Sequence, residues 1–302
     1  MRICDQPPAT TLAGSVSPSV HLTPERAAML DNVWAAMLGC LATRVLAFVG
    51  MLNARGEGRA FARPAYYRAD NSGTATAAAY SFTLARNEGP LVVCSIEHPQ
   101  EGGANVLASA LRVGGRNRID SDALCDAWCD AEGTTEDARS LPHPIVVGTG
   151  EVFALDVTGP AMITTGLQVR GFHVDEVTAE IIARGGELYV EGLNRVHAAA
   201  AVMAATDDRV IREHKQMTHL VAKETLTGDA VRSSVGIIVR SQRWSPKEGA
   251  IIPPRGTEKA LARVDTHLAP NDSIQVQQRY TSAGAAGTAR LQLTMLGRKR
   301  YR

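Results

Sequence analysis

The sequence predicts an α+β fold, a helix-rich body with several antiparallel hairpins that forms a single elaborated domain or two closely packed lobes. The first observation is size, because 302 residues exceed the usual extent of one core and hydrophobic residues make up 45% of them. The second is that apolar residues recur at helical spacing in some stretches and form β-branched runs in others. The third is that glycine and proline clusters separate these stretches.

Thr23, Pro24 and Glu25 mark the start of the first helix. Threonine can cap the free amides, proline fits the first helical position, and glutamate suits the positive end of the helix. This helix is predicted over 24–53. Six more helices are predicted where apolar residues recur every three or four positions: 104–113, 120–132, 173–184, 188–205, 208–225 and 257–268.

Runs rich in β-branched and aromatic residues predict the strands. Strands over 78–86 and 91–97 are expected to pair as a hairpin, and strands over 273–281 and 289–296 as a second hairpin at the end of the chain. Four more strands are predicted over 145–147, 152–158, 162–169 and 235–241.

The polar, proline-bearing stretch 134–144 predicts a boundary between lobes. The expected organisation is an N-terminal arm over 1–22, a first α+β lobe over 23–140, and a second α+β lobe over 141–302 that ends in a basic tail. No internal repeat is visible in the sequence.

Charge and cysteine content narrow the function classes. The net charge is +1, which gives no overall electrostatic attraction to nucleic acid or membranes. The five cysteines are odd in number and scattered, a pattern typical of reduced thiols in an intracellular protein. Nothing at the N-terminus resembles a signal peptide, so an intracellular location is expected.

One segment, 33–52, is apolar and long enough to cross a bilayer. Arg44 lies near its middle, where an arginine costs about 2.5–3.5 kcal/mol even on lenient insertion scales. We therefore predict a buried core helix and no membrane partner.

The sequence contains no P-loop and no Gly-x-Ser-x-Gly elbow. Gly148-Thr149-Gly150 lacks the third glycine of a dinucleotide fingerprint, so a turn is the favoured interpretation. Cys125 and Cys129 could supply two thiolate ligands from one helix face, but burial beside Trp128 explains them better. No metal site, cofactor or catalytic residue is therefore predicted.

Acid–base chemistry has one candidate group. His173, with Asp175 and Glu176, could exchange a proton near neutral pH. These carboxylates stand at a helix start, however, where capping is the favoured interpretation. His214 and His219 are five residues apart and are assigned to a helix surface or an interface.

Basic residues concentrate at the C-terminus, where a cationic end can neutralise phosphates without reading sequence. The predicted nucleic-acid contacts are Arg298, Lys299, Arg300 and Arg302. A second, weaker patch comprises Arg112, Arg116 and Arg118.

Two runs, GFHVDEV at 171–177 and THLVAK at 218–223, carry a resemblance to a known family. The stretch 172–239 resembles parts of the coat proteins of totivirus-like double-stranded RNA viruses. The resemblance implies a closed icosahedral shell, made of one α-rich subunit, around RNA. It also implies a location in the virion and the host cytoplasm.

The leading hypothesis from the sequence is a self-assembling structural subunit, a viral capsid protein whose main partner is itself and which contacts packaged RNA through local basic patches. The body expected here, with small-residue packing and near-neutral charge, suits repeated contacts between identical subunits. The alternative is an intracellular enzyme of unknown reaction that uses His, Asp and Glu for acid–base chemistry. Enzymatic activity is not expected.

Overall fold

A computed structural model describes residues 23–55, 60–69, 71–73, 76–98, 106–119, 123–125, 130–131, 140–159, 167–239, 242–244 and 259–299. Within these ranges the chain is mostly β-structure, with nineteen strands and three helices. The prediction of a helix-rich α+β body is therefore wrong. The predicted N-terminal arm lies outside the described residues.

The chain divides into two compact units, each described by itself. Unit 1 comprises the described residues within 1–119 and 128–189, and unit 2 those within 120–127 and 190–299. Apart from 120–127, the chain passes from unit 1 into unit 2 at 189/190, and the predicted lobe boundary at 140/141 stays a prediction.

The first eleven strands lie between residues 62 and 174. They are β1 Ala62–Ala69, β2 Asn71–Gly73, β3 Ala77–Thr83, β4 Leu91–His98, β5 Leu107–Val113, β6 Arg116–Asn117, β7 Ala123–Leu124, β8 Asp130–Ala131, β9 Ile145–Val147, β10 Val152–Thr158 and β11 Leu167–Val174. The predicted strands over 145–147 and 152–158 are confirmed as β9 and β10.

The remaining strands begin at the end of unit 1, and all but β16 have nine or more residues. They are β12 Glu187–His197, β13 Val202–Val210, β14 Lys215–Thr227, β15 Ala230–Val239, β16 Gln242–Trp244, β17 Lys259–Leu268, β18 Ser273–Ser282 and β19 Thr288–Lys299.

Five of the predicted helices contain strands in the structure. The segments 104–113, 188–205, 208–225 and 257–268 contain β5, β12 with β13, β14, and β17, and the described part of 120–132 contains the short strands β7 and β8. In β14 and β19 consecutive residues are buried on both faces of the strand. Burial of consecutive residues removes the two-residue alternation of a half-buried strand, so periodicity did not distinguish β14 from a buried helix, whereas β19 was predicted as a strand over 289–296.

The predicted first helix is two helices, α1 Pro24–Ala36 and α2 Leu41–Ala54. The break contains Gly39, whose φ of 107° is incompatible with a continuous right-handed helix. The predicted cap is confirmed, because the Thr23 side chain accepts a hydrogen bond from the amide of Arg26. No helix within the described ranges is long and apolar enough to span a membrane.

The third helix, α3, spans Glu176–Arg184 and confirms the core of the helix predicted over 173–184. The Asp175 carboxylate caps it by accepting from the Thr178 amide at 2.9 Å. α1 packs on α3, and α2 packs on β1 and β11. The buried residues of α2 are Leu41, Val45, Phe48, Val49 and Leu52.

Unit 2 contains two four-stranded antiparallel sheets. One has the order β12–β19–β14–β17, and the other has the order β13–β18–β15–β16. If the eight strands are counted along the chain, these orders are 1-8-3-6 and 2-7-4-5. Successive strands alternate between the sheets over much of the chain, which is the jelly-roll arrangement of two packed sheets.

Unit 1 repeats the same arrangement. Its sheets have the orders β1–β11–β4–β9 and β3–β10–β5–β6, and β2 and β8 are short additions to them. With β1, β3, β4, β5, β6, β9, β10 and β11 counted as strands one to eight, the orders are again 1-8-3-6 and 2-7-4-5. The chain therefore contains two consecutive jelly rolls, a repeat that the sequence does not reveal.

Both predicted hairpins are also wrong. β3 and β4 belong to different sheets, and so do β18 and β19. In a jelly roll these short connections lead from one sheet to the other, whereas local sequence reasoning assigns a short glycine-bearing connection to a hairpin.

The two jelly rolls share a bulge between their third and eighth strands. In unit 1 the pairing of β11 with β4 shifts register between Arg170 and Gly171. In unit 2 the pairing of β14 with β19 shifts register between Met217 and His219, opposite Gly297. A Cβ atom on Gly171 would lie 2.1 Å from the carbonyl oxygen of Val92, and one on Gly297 would lie 2.3 Å from that of Gln216.

Aromatic side chains fill part of the interior of unit 1. The Tyr67 ring stacks on Phe82 with centroids 4.6 Å apart, and Phe82 stacks on Phe153 at 5.1 Å. In unit 2 a core cluster is formed by Met203, Ala230, Tyr280 and Ala289. Each unit therefore has its own apolar interior.

Candidate functional site

The weaker predicted basic patch separates into a buried residue and two surface residues. The Arg118 side chain is buried, and its guanidinium lies 3.2 Å from Glu187 Oε2. Arg112 pairs with Asp156 at 2.7 Å, while Arg116 is exposed in β6. The surface part of this patch is therefore the β5–β6 hairpin with Arg112 and Arg116.

The Arg118–Glu187 pair is a structural cluster inside unit 1. Glu187 Oε2 also accepts from the Val146 amide at 2.9 Å. Burial raises the pKa of the Glu187 carboxyl, and the Arg118 charge and the Val146 hydrogen bond oppose that rise. The pair ties β9 to the start of β12 and is not accessible to nucleic acid.

The C-terminal basic cluster begins inside a strand. Arg298 and Lys299 are the last described residues of β19. Arg298 Nε donates to Gln216 Oε1 at 2.6 Å, and Lys299 Nζ lies 2.5 Å from Glu213 Oε2. Arg300 and Arg302 lie outside the described residues, so nucleic-acid contact by this cluster stays a prediction.

His173 lies in a closed hydrogen-bond network at the edge of unit 1. Its Nδ1 is 3.1 Å from the Gly89 carbonyl oxygen, and its Nε2 is 3.0 Å from the Tyr67 hydroxyl. Tyr67 in turn donates to Glu88 Oε2 at 2.7 Å. Both ring nitrogens of His173 are therefore engaged by polar partners, one on the β3–β4 connection and one on β1.

The same network perturbs its other members. Burial and the Glu88 carboxylate raise the pKa of Tyr67, and the hydrogen bond from Tyr67 lowers the pKa of Glu88. The network joins the β3–β4 connection to strands β1 and β11.

The structure does not bring the predicted acid–base group together. Asp175 caps α3, as the capping interpretation expects. Glu176 accepts a hydrogen bond from the Thr149 hydroxyl at 3.0 Å, in the turn between β9 and β10. His214 precedes β14 and His219 lies within it, so neither is on a helix.

The oxidation state of one cysteine, Cys40, differs from the sequence prediction. Cys94 and Cys125 are free and buried, but Cys40 is disulfide-bonded, so the expectation of five reduced thiols is wrong. Cys129 lies outside the described residues. Within the described ranges no group of three or more His, Cys, Asp or Glu side chains is placed to hold a metal ion.

Sequence reasoning missed a polar cluster inside unit 2. Tyr280 donates to Glu224 Oε1 at 3.0 Å, and Arg232 Nε lies 3.7 Å from Glu224 Oε2. His197 Nε2 contacts Gln278 Oε1 at 2.9 Å, and its ring packs against Tyr280. Burial raises the pKa of Glu224, and Arg232 opposes that rise. The one available signal was a glutamate closely following the apolar run 220–222.

No protein-family model matches this sequence, and no curated protein sequence does either. Solved structures are similar over most of the chain. The major capsid protein of Sulfolobus turreted icosahedral virus gives a TM-score of 0.42 at 11% identity, covering 80% of this chain and 97% of that chain. The PBCV-1 virus capsid gives 0.33 at 9% identity, covering 78% and 94%.

A recombinant N-glycanase F gives a TM-score of 0.32 at 9% identity, covering 81% of this chain and 97% of that chain. Two of these three neighbours are therefore viral capsid structures and one is a glycanase. Scores and identities at this level assign neither a family nor an activity to the chain. The α-rich subunit implied by the resemblance to totivirus-like coat proteins is not observed, because 172–239 is mainly β-structure.

Proposed function

We propose that this chain is a viral coat subunit that assembles with copies of itself into a closed shell around nucleic acid. The observation that supports the proposal is the pair of consecutive jelly rolls with identical strand orders. Jelly rolls are common in viral capsids, and also occur in lectins and cupins. Fold alone does not determine function, so assembly itself must be measured.

The polar clusters are consistent with a structural role. In each unit some buried charged and polar groups form ion pairs or hydrogen bonds that join strands, as in Arg118–Glu187 and Tyr280–Glu224. Such closed contacts hold a sandwich rigid, and rigidity suits a subunit that repeats the same contacts many times.

The test is the mass and shape of the purified full chain, by light scattering and negative-stain microscopy, with the 260/280 nm absorbance ratio. Uniform closed particles with a raised ratio are expected. Digestion of the contents with RNase or DNase then identifies the nucleic acid, for which the resemblance implies double-stranded RNA. A small discrete oligomer would contradict the coat proposal and would make acid–base chemistry the next hypothesis to test.

A further inference from the structure

The outward-facing side of the β13–β18–β15 sheet in unit 2 is exposed. We define this outer face as the alternate residues of β13 from Val202 to Val210 with their neighbours on β18 and β15. The alternation is regular: Met203 and Tyr280 point inward and are buried, whereas Val202 is 51% and Val210 65% exposed. Apolar side chains at both ends of this sheet face are thus left in solvent.

The outer face is organised in rows that the strand register defines. Val202 pairs with Thr281, which pairs with Val231, and this row forms one end. Thr206 pairs with Gln277 in the central row, and Val210 pairs with Ser273 at the other end. The face is therefore apolar at its two ends and neutral and polar at its centre.

Asp208 and Arg279 are the charged residues among the described outward positions of these three strands. Asp208 lies one row from the centre on β13, and Arg279 lies one row from the centre on the opposite side, on β18. Gln275 Nε2 donates a hydrogen bond to Asp208 Oδ1 at 2.8 Å, and Gln275 Oε1 accepts one from Gln277 Nε2. These two hydrogen bonds hold the Asp208 carboxylate in place. Arg279 forms no ion pair with the described residues.

This arrangement is self-complementary. Consider two copies stacked face to face, related by a two-fold axis that lies between the faces, perpendicular to the strands, at the Thr206–Gln277 row. This operation places Asp208 of each copy over the Ala204–Arg279 row of the other. Asp208 of one copy is then displaced sideways from Arg279 of the other by one strand spacing, about 4.8 Å, while the two sheet faces lie about 10 Å apart. An arginine and an aspartate side chain together span this separation. The same operation places the Val202–Thr281–Val231 row over the Val210 row, apolar against apolar.

We infer that the outer face is a contact surface between two copies of this chain, related by a two-fold axis and closed by two Asp208–Arg279 ion pairs. This deepens the proposed function, on which it rests for the identity of the partner. The nine residues of β13 and the width of three strands cover about 400 Å². A standard interface buries about 800 Å² on each partner, so this contact is weak alone and serves as one of several in a shell.

The experiment is a charge exchange in the full chain. Asp208→Arg gives an outer face with two positive residues, and Arg279→Asp gives one with two negative residues. Each single variant is expected to lower particle yield at least tenfold, measured by light scattering and sedimentation velocity. An equimolar mixture of the two variants, and the double variant, should recover most of the yield, because opposite charges face each other again.

Matched controls lie on other surfaces of unit 2. Asp265 is also an exposed aspartate held by a glutamine, Gln216, but lies in β17 of the other sheet. Arg212 is exposed before β14. Asp265→Arg and Arg212→Asp should leave particle yield unchanged, and circular dichroism of every variant should match the unsubstituted chain.

The outcomes separate this inference from the proposed function. Closed particles that form equally well from the single variants would overturn the outer-face contact and leave the coat proposal intact. Self-association that follows the charge-exchange pattern without closed particles would support the outer-face contact and overturn the coat proposal. A chain that stays monomeric at all concentrations would overturn both, and failure of the mixture to recover would overturn the ion pairing.

Discussion

At the scale of single residues, stability depends on a few buried or tightly held charges. Arg118 and Glu187 form an ion pair with both side chains almost fully buried. Removing one partner from such a pair leaves an uncompensated charge in a medium of low polarity. The remaining charge, and not the lost attraction, then dominates the cost.

We expect Arg118→Ala to lower the free energy of unfolding by about 3 kcal/mol, because Glu187 is left buried without its counter-charge. Urea unfolding followed by circular dichroism measures this. The double variant Arg118→Met with Glu187→Leu is the control and should recover most of the loss. A single variant as stable as the unsubstituted chain would show that Glu187 can reach solvent.

Asp229 provides a pH-dependent contact in unit 2. Its carboxylate accepts from the Ser282 hydroxyl and from the amides of Gly284 and Gly287, which lowers its pKa below the usual value. Since the folded pKa is lowered, the stabilisation is present above the unfolded pKa of about 3.9 and is lost as the pH falls through the folded pKa.

Asp229→Asn should therefore lower the melting temperature at pH 7, and the difference from the unsubstituted chain should shrink on acidification below about pH 4. Thermal melts between about pH 7 and pH 2.5 measure the difference. Asp265→Asn serves as a surface control. A difference that stays constant over this range would contradict the role of the Asp229 charge.

At the scale of elements, each jelly roll has a bulge on its third strand that lies opposite a glycine of the eighth strand. The glycine allows the two backbones to approach closely there. A Cβ at Gly171 would overlap the Val92 carbonyl, so backbone must move before any other residue fits there. A Cβ at Gly50 in α2 would meet no atom within 4 Å, so this glycine has an ordinary helical role.

We expect Gly171→Ala to destabilise the chain by about 1–3 kcal/mol through backbone displacement. Gly50→Ala is the matched control and should stabilise it by about 0.5–1 kcal/mol, because alanine loses less conformational freedom in a helix. Chemical unfolding of both variants compares them directly. Equal effects of the two substitutions would show that β4 and β11 can separate at the bulge without cost.

Elements that carry their own local signals could be predicted from the sequence. Thr23 and Asp175 cap helices as expected, and β9 and β10 lie where β-branched residues and glycines predict them. β14 could not be predicted as a strand because both its faces are buried, so its apolar residues follow no two-residue alternation. Pairings were less predictable still, since β3–β4 and β18–β19 join different sheets.

The sequence identified candidate site residues by their charge but could not predict which of them are buried. Arg112 and Arg116 are on the surface, but the burial of Arg118 depends on Glu187, which lies 69 positions away in the sequence. Tyr67, Glu88 and His173 meet through long-range strand pairing in the same way. The outer face of unit 2 was not predicted, because its rows exist only once β13, β18 and β15 are in register.

At the scale of the whole molecule, the near-neutral net charge of +1 leaves nucleic-acid contact to local groups. Among the described residues of the predicted basic patches, Arg112 and Arg116 lie on the surface of unit 1. They are the candidates there for contact with nucleic acid. Each phosphate contact contributes about 0.7–0.9 to the dependence of log affinity on log salt concentration.

Arg112→Ala with Arg116→Ala should lower the absorbance ratio of purified particles and reduce the salt slope of RNA binding by about 1.5, because two phosphate contacts are lost. Filter binding at several salt concentrations measures the slope. Arg212→Ala, an exposed arginine in unit 2, is the control. An unchanged slope would remove the β5–β6 hairpin from the nucleic-acid surface.

The matching bulges at Gly171 and Gly297 have a consequence for the history of the chain. Both glycines lie on the eighth strand of a jelly roll, and both face a carbonyl of the third strand at nearly the same distance. In both sandwiches the third strand approaches the eighth too closely for a Cβ atom at this position. Tandem copying of one ancestral sandwich would leave this pattern, a shared glycine and a shared bulge inside two halves whose surrounding sequences show no repeat.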